Sequence, residues 1–155
     1  MSDNVLSVIP TDPRWQPDEA AADRAATLLT RLAPEDDAGL DTEIDVEWYD
    51  AVMPVDCGEY LERIGCPRCG AAVSSVWYGD LLEAHGDDGF VSLDVEVPCC
   101  GAATSLDALE YARPCGFASF EIALWNPDRE ALDDGELDDL GKALGHPVRQ
   151  ILARI

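Results

Sequence analysis

Two spacings of apolar residues alternate along the chain, and together they predict the order of its elements. Residues 4 to 9, "NVLSVI", form a short apolar run closed by Pro10 and Pro13, the form of a buried strand. Behind it Ala21, Ala25, Leu28, Leu29 and Leu32 share one face at helical spacing, with Pro17 suited to the first turn and Pro34 as the stop. In "DTEIDVEWY" the period changes to two. Ile44, Val46 and Trp48 point one way and Asp41, Glu43, Asp45 and Glu47 the other, which predicts a half-buried strand.

The same order returns at the far end. "GFASFEIALWNP" places Ala118, Phe120, Ile122 and Leu124 on one face of a strand that Asn126 and Pro127 end. Leu137, Leu140 and Leu144 then form a helical stripe with acids in its first turn and Gly145 and Pro147 past its end. "VRQILARI" reads as a last strand. Strand, helix, strand, twice over, is the β-α-β-β-α-β order of ferredoxin-like folds. The expectation is an α+β protein whose residues 1–56 and 113–155 form one discontinuous α/β unit, with residues 57–112 inserted between its second and third strands. An unrelated α+β sandwich would use the same elements.

Within the insertion, "AAVSSVWY" reads as a strand, "HGDDGF" as a turn, and "VSLDVEV" as a second strand with Val91, Leu93, Val95 and Val97 on one face. These segments lie between two cysteine motifs. In "GCPRCG", Cys66 and Cys69 are two residues apart, and Pro67 and Gly70 favour a tight turn that brings both thiolates to one metal. This motif resembles the knuckle of the zinc-ribbon group, a resemblance confined to the middle third of the chain. A ribbon carries two such knuckles on adjacent hairpins, and its zinc is structural.

The second motif, "VPCCG", departs from that pattern. Aligning Gly101 with Gly70 matches Pro98 to Pro67 and Cys100 to Cys69, and puts Val97 where Cys66 stands. Three readings follow. Cys99 and Cys100 both bind the zinc held by Cys66 and Cys69, which completes a four-thiolate tetrahedron; Cys100 binds alone, with Cys57, Cys115 or His85 as fourth ligand; or the first knuckle is a relic without metal. The Pro and Gly flanks of both motifs favour the first. Cys57 and Cys115 otherwise read as small buried residues, and His85 as an exposed turn residue. A disulfide network among all six cysteines has no secretory context behind it.

Charge changes the picture more than size does. The 155 residues are 47% hydrophobic, enough for a real core, but 32 Asp and Glu face 10 Lys and Arg, a formal net charge of -22. Such a surface repels nucleic-acid phosphates and anionic membranes, which makes a basic protein the expected partner. Solubility or adaptation to salt explains the same charge without a partner. Asp41, Glu43, Asp45 and Glu47, about 6.8 Å apart along a strand, are the candidate partner-binding ridge; an edge strand also carries charge to resist aggregation. The start, "MSDNVLSVIPTDPRW", lacks the basic-then-apolar form of a signal peptide. No run reaches the roughly 18 apolar residues of a membrane span, so a soluble cytoplasmic protein is expected.

Neither histidine makes a Ser-His-Asp or Cys-His arrangement, and there is no phosphate-binding glycine loop. The leading expectation is therefore a non-catalytic, zinc-stabilised protein that binds a basic partner, for example as an inhibitor or immunity-type protein. A transcription- or RNA-associated ribbon is the second reading. The third is a metalloenzyme with an incomplete ligand set.

Overall fold

The apolar run at the start of the chain becomes strand β1 (Asn4–Pro10), the inner strand on which the first part of the protein is built. The structure is a computed structural model, and residues 4–33, 43–55, 63–85, 88–112, 115–127, 129 and 131–154 are described. They divide into two compact units, Met1–Tyr49 with Ala118–Ile155, and Asp50–Phe117.

In the first unit β1 pairs antiparallel on both sides. Val5 to Val8 lie opposite Trp125 to Ile122 of strand β7 (Gly116–Trp125), and Asn4 to Pro10 lie opposite Arg154 to Val148 of strand β8 (Val148–Arg154). With β2 (Glu43–Val55) beyond β7, the four-stranded sheet has the order β2-β7-β1-β8. The alternation read in β7 places Ala118, Phe120, Ile122 and Leu124 in the core, where none is more than 1% exposed. They pack with Leu6, Val8, Ala22, Ala25, Leu29, Leu140 and Leu144.

Helix α1 (Glu19–Leu32) begins two residues beyond Pro17, which the proline pattern placed in its first turn. Pro17 lies outside the helix because Asp18 is the better cap: its carboxylate accepts the Ala21 amide at 2.7 Å. The Pro17 carbonyl instead accepts the Trp48 indole at 3.1 Å. Helix α3 (Asp134–Leu144) packs against α1 and is capped at both ends. Asp133 accepts the Glu136 amide at 2.8 Å while the Glu136 carboxylate accepts the Asp133 amide at 3.0 Å, a reciprocal capping box. Gly145 closes the helix at φ 95°, a left-handed value that suits glycine. Arg129 donates to both Glu136 oxygens and holds that carboxyl below the usual glutamate range. Asp133→Ala should therefore cost about 1 kcal/mol, measured as a lower thermal midpoint with the fold otherwise intact.

Strand β2 runs six residues past the alternating stretch, to Val55. It lies at the edge of the sheet, the place where strands accommodate a proline such as Pro54. Being an edge strand, it is also less buried than its pattern implied: Val46 packs on the core, but Ile44 and Trp48 are 36% and 41% exposed.

The second unit departs most from the sequence reading in its helix. Residues 71–78 do not form a strand; helix α2 (Ser75–His85) occupies Ser75 onward. Ser74 supplies a cap, its hydroxyl accepting the Trp77 amide at 3.3 Å. Tyr78 is buried, and Trp77, Leu81 and Leu82 lie against the same core. The strands are short: β3 (Ile64–Gly65) pairs with β6 (Glu110–Tyr111), and β4 (Asp94–Glu96) with β5 (Ala103–Ser105). Leu93 and Val97 point inward as expected, whereas Val91 is 84% exposed because the strand begins only at Asp94. The core joins Val52, Ile64, Val73, Tyr78, Phe90, Leu106 and Phe117.

Candidate metal centre

The two cysteine motifs fold into the same turn. In the first, the Cys66 amide donates to the Ala71 carbonyl at 2.9 Å and the Gly70 amide to the Cys66 carbonyl at 3.0 Å. In the second, the Val97 amide donates to the Ala102 carbonyl at 3.1 Å and the Gly101 amide to the Val97 carbonyl at 2.8 Å. The bonds correspond residue for residue. Gly70 and Gly101 complete the match at φ 76° and 70°, where a side chain would strain the turn. A short antiparallel contact flanks each turn, Gly65 opposite Ala72 and Glu96 opposite Ala103.

Val97 therefore does stand at the position of Cys66, and both are 1% exposed. Cys99 stands at the position of Arg68. The second turn keeps the backbone of the first while moving one sulfur two residues along the chain.

The Sγ atoms of Cys66, Cys69, Cys99 and Cys100 all lie within 4.8 Å of one another. Cys66 and Cys100 are 3.9 Å apart, and Cys69 and Cys99 3.5 Å. A tetrahedral ion with metal–sulfur bonds of about 2.3 Å separates its ligands by about 3.8 Å. Those two separations match a tetrahedral ion, and the four sulfurs are clustered closely enough to hold one. Only Cys66 is buried; Cys69, Cys99 and Cys100 are exposed.

The thiols differ in how readily they ionise. Cys66 is lowered to about 7, chiefly by the amide of Cys69 and also by that of Arg68, which reach its sulfur at 3.5 and 3.4 Å, against the opposing effect of burial. Cys99 is pushed up to about 12, first by loss of water around its sulfur and then by the neighbouring thiols of Cys69, Cys66 and Cys100. Crowded sulfurs cannot all become thiolates unaided. A bound cation supplies the charge that lets them do so.

The alternate ligands lie elsewhere. His85 ends α2 and stacks on Phe90, ring centres 4.4 Å apart, outside the sulfur cluster. It ends a helix where the sequence suggested the tip of a hairpin. Cys115 is buried but is not a free thiol: it is disulfide-bonded, so it cannot serve as a thiolate ligand. Its sulfur lies 3.8 Å from the Tyr78 hydroxyl. Cys57 falls outside the described residues. A network joining all six cysteines is excluded by the four free thiols.

Of the acidic ridge, Asp41 falls outside the described residues, and Glu43, Asp45 and Glu47 are exposed on β2. Asp45 accepts the Trp125 indole at 3.2 Å. A further polar cluster went unread in the sequence. Glu121, the one charged residue of β7, accepts the hydroxyls of Ser7 at 2.6 Å and Tyr49 at 3.0 Å. Burial, then the Glu121 charge, raises the Tyr49 phenol above its ordinary range. A lone glutamate in "SFEIAL" was the available signal; both hydroxyls are engaged in holding it.

These features define a mixed α/β protein with four cysteines placed to hold a metal ion, compatible with a zinc-binding knuckle. No helix among the described residues is long and apolar enough to cross a membrane. No protein-family model matches the chain, and no solved structure does. Over 101 residues, 62% of this chain, it is 36% identical to the ORC1-type DNA replication protein 2 of Haloarcula marismortui. The match spans 24% of that protein's length.

Proposed function

We propose that the chain is a non-catalytic protein, fastened by a structural zinc ion, that works by binding a basic protein partner through its acidic surface. The observation that carries this reading is the thiol cluster itself: four protein sulfurs within 4.8 Å of one another supply all four ligands of a closed site, which leaves an ion no position for water or substrate. That argues for a structural role over a hydrolytic one. All-thiolate tetrahedral sites take zinc or iron, and the knuckle turns favour zinc; metal analysis of the purified protein decides between them. The first unit is read as ferredoxin-like on the support of its strand order, in which β7 separates β1 from β2 and β1 separates β7 from β8.

The partner reading rests on the net charge of -22 and on Glu43, Asp45 and Glu47, exposed along one strand. An inhibitor or immunity-type role is one form it takes. The name of the Haloarcula marismortui protein favours a second form, in which the partner belongs to a DNA-associated assembly that this chain joins through protein contacts. With the zinc-loaded chain as bait, a basic protein should bind at low salt and bind about tenfold more weakly at several-fold higher ionic strength. Reversal of Glu43, Asp45 and Glu47 together to lysine should abolish that binding. Association indifferent to both changes rejects the reading, and a gel shift with naked DNA at low salt would replace it with direct DNA contact.

A further inference from the structure

Cys99 is the odd ligand of the cluster. In the first turn the equivalent position is Arg68, a residue that contributes only its backbone amide to the site. Cys66, the ligand that Cys99 replaces, is 1% exposed and receives two amide hydrogen bonds at its sulfur. Cys99 is exposed, and among the described residues no backbone amide donates to its sulfur. Amide donors draw electron density from a thiolate and make it less nucleophilic. Cys99, an exposed residue without such donors, is open to an electrophile.

Across the turns it faces Cys69, also exposed, at 3.5 Å. A disulfide bond of about 2.05 Å needs these sulfurs to close by only about 1.5 Å. A second cross-turn pair, Cys66 with Cys100, is 3.9 Å apart and has one member buried. Cys99 and Cys100 are adjacent in sequence, where a disulfide would force a strained ring into the turn.

We propose that Cys69 and Cys99 form an oxidation site that takes a hydroperoxide and releases the metal. This rests on the reading of the cluster as a metal centre. The Cys99 thiolate attacks the O–O bond, becoming a sulfenic acid and expelling hydroxide or alkoxide. The Cys69 thiolate then attacks the Cys99 sulfur, forming the S–S bond and expelling a second hydroxide. Two thiolates lose two electrons, the O–O bond gains them, and solvent protons convert the products to water or alcohol. The ion keeps its charge and departs, since Cys66 and Cys100 are its only remaining ligands among the described residues. The new bond joins the same two turns that the metal joined, so a covalent staple replaces a coordinate one.

The test uses the full chain, loaded with zinc and shown to carry about one ion. Hydrogen peroxide is added with a chromophoric chelator present, and the products are digested without reduction for peptide mass mapping. The expected result is loss of the ion together with a Cys69–Cys99 crosslink. Cys99→His retains a ligand that cannot be oxidised in this way, and should release zinc at least tenfold more slowly. Zinc retained under peroxide, a crosslink between any other pair, or equal release rates in the two proteins would overturn the proposal while leaving the metal centre standing. If Cys99→His holds no zinc, the peptide map of the native protein decides alone. A native chain that binds no metal overturns both the proposal and the reading beneath it.

Discussion

Replacing Cys66 with serine is expected to strip the metal from the protein and to abolish the cooperative unfolding of residues 50–117. Cys66 is the one buried ligand, and it is tied in by three further kinds of contact: its sulfur receives two amides, its own amide reaches Ala71, and its carbonyl accepts Gly70. A serine oxygen is smaller and harder than a thiolate, so it sits short of the metal and binds it poorly. It also leaves a hydroxyl in a place built for sulfur. Structural zinc contributes apparent binding energies on the order of 10 kcal/mol in small domains. The unit has short strands and one modest core to set against that loss. Metal analysis should fall from about one ion per chain to a small fraction, and the thermal transition of this unit should broaden or vanish. A Cys66→Ser protein that keeps both its metal and its transition would show that the turns are held by packing alone.

The second large effect belongs to the other unit. Phe120→Ala should destabilise it by about 3–5 kcal/mol, the usual range for deleting a buried aromatic ring. Phe120 is fully buried, lies 5.3 Å from the Trp48 ring centre, and shares its cluster with Leu6, Leu29 and Leu140. The cavity would open beneath an edge strand that has little other burial. Against a net stability of about 5–15 kcal/mol, this should lower the thermal midpoint by on the order of 20 °C. The metal content of the folded fraction should remain that of the native protein. A shift of only a few degrees would mean that β2 collapses into the vacated space.

The elements that these variants probe were unequally legible. β1, α1, β7, α3 and β8 each carry an apolar period bounded by a turn residue, and packing reinforces the local signal. Residues 75–85 did not show their helix, because Val76, Trp77 and Tyr78 are strand-forming residues beside a motif that suggested hairpins. The contrary signals were Ser74 as a cap and the helix-forming Leu81, Leu82, Glu83 and Ala84. Tertiary packing of Tyr78, Leu81 and Leu82 decided the matter. Of the metal centre, the pair Cys66 and Cys69 was visible in its spacing. That Cys99 and Cys100 join them was the reading the shared Pro and Gly favoured, and the matching backbone bonds of two turns 31 residues apart give its geometric basis. The state of Cys115 had no local signature, since a disulfide depends on what the fold brings near.

The matching turns separate two properties that a cysteine motif is usually taken to unite. The scaffold is set by proline, glycine and four backbone hydrogen-bonding groups; the loading is whichever two positions carry sulfur. Here one scaffold is loaded at its first and fourth positions and the other at its third and fourth. Exchanging Val97 for cysteine and Cys99 for arginine would rewrite the second loading as the first with no change of scaffold. The spacing C-x-x-C is thus one dialect of this turn, and a search for metal sites that listens only for that spacing passes over its neighbours.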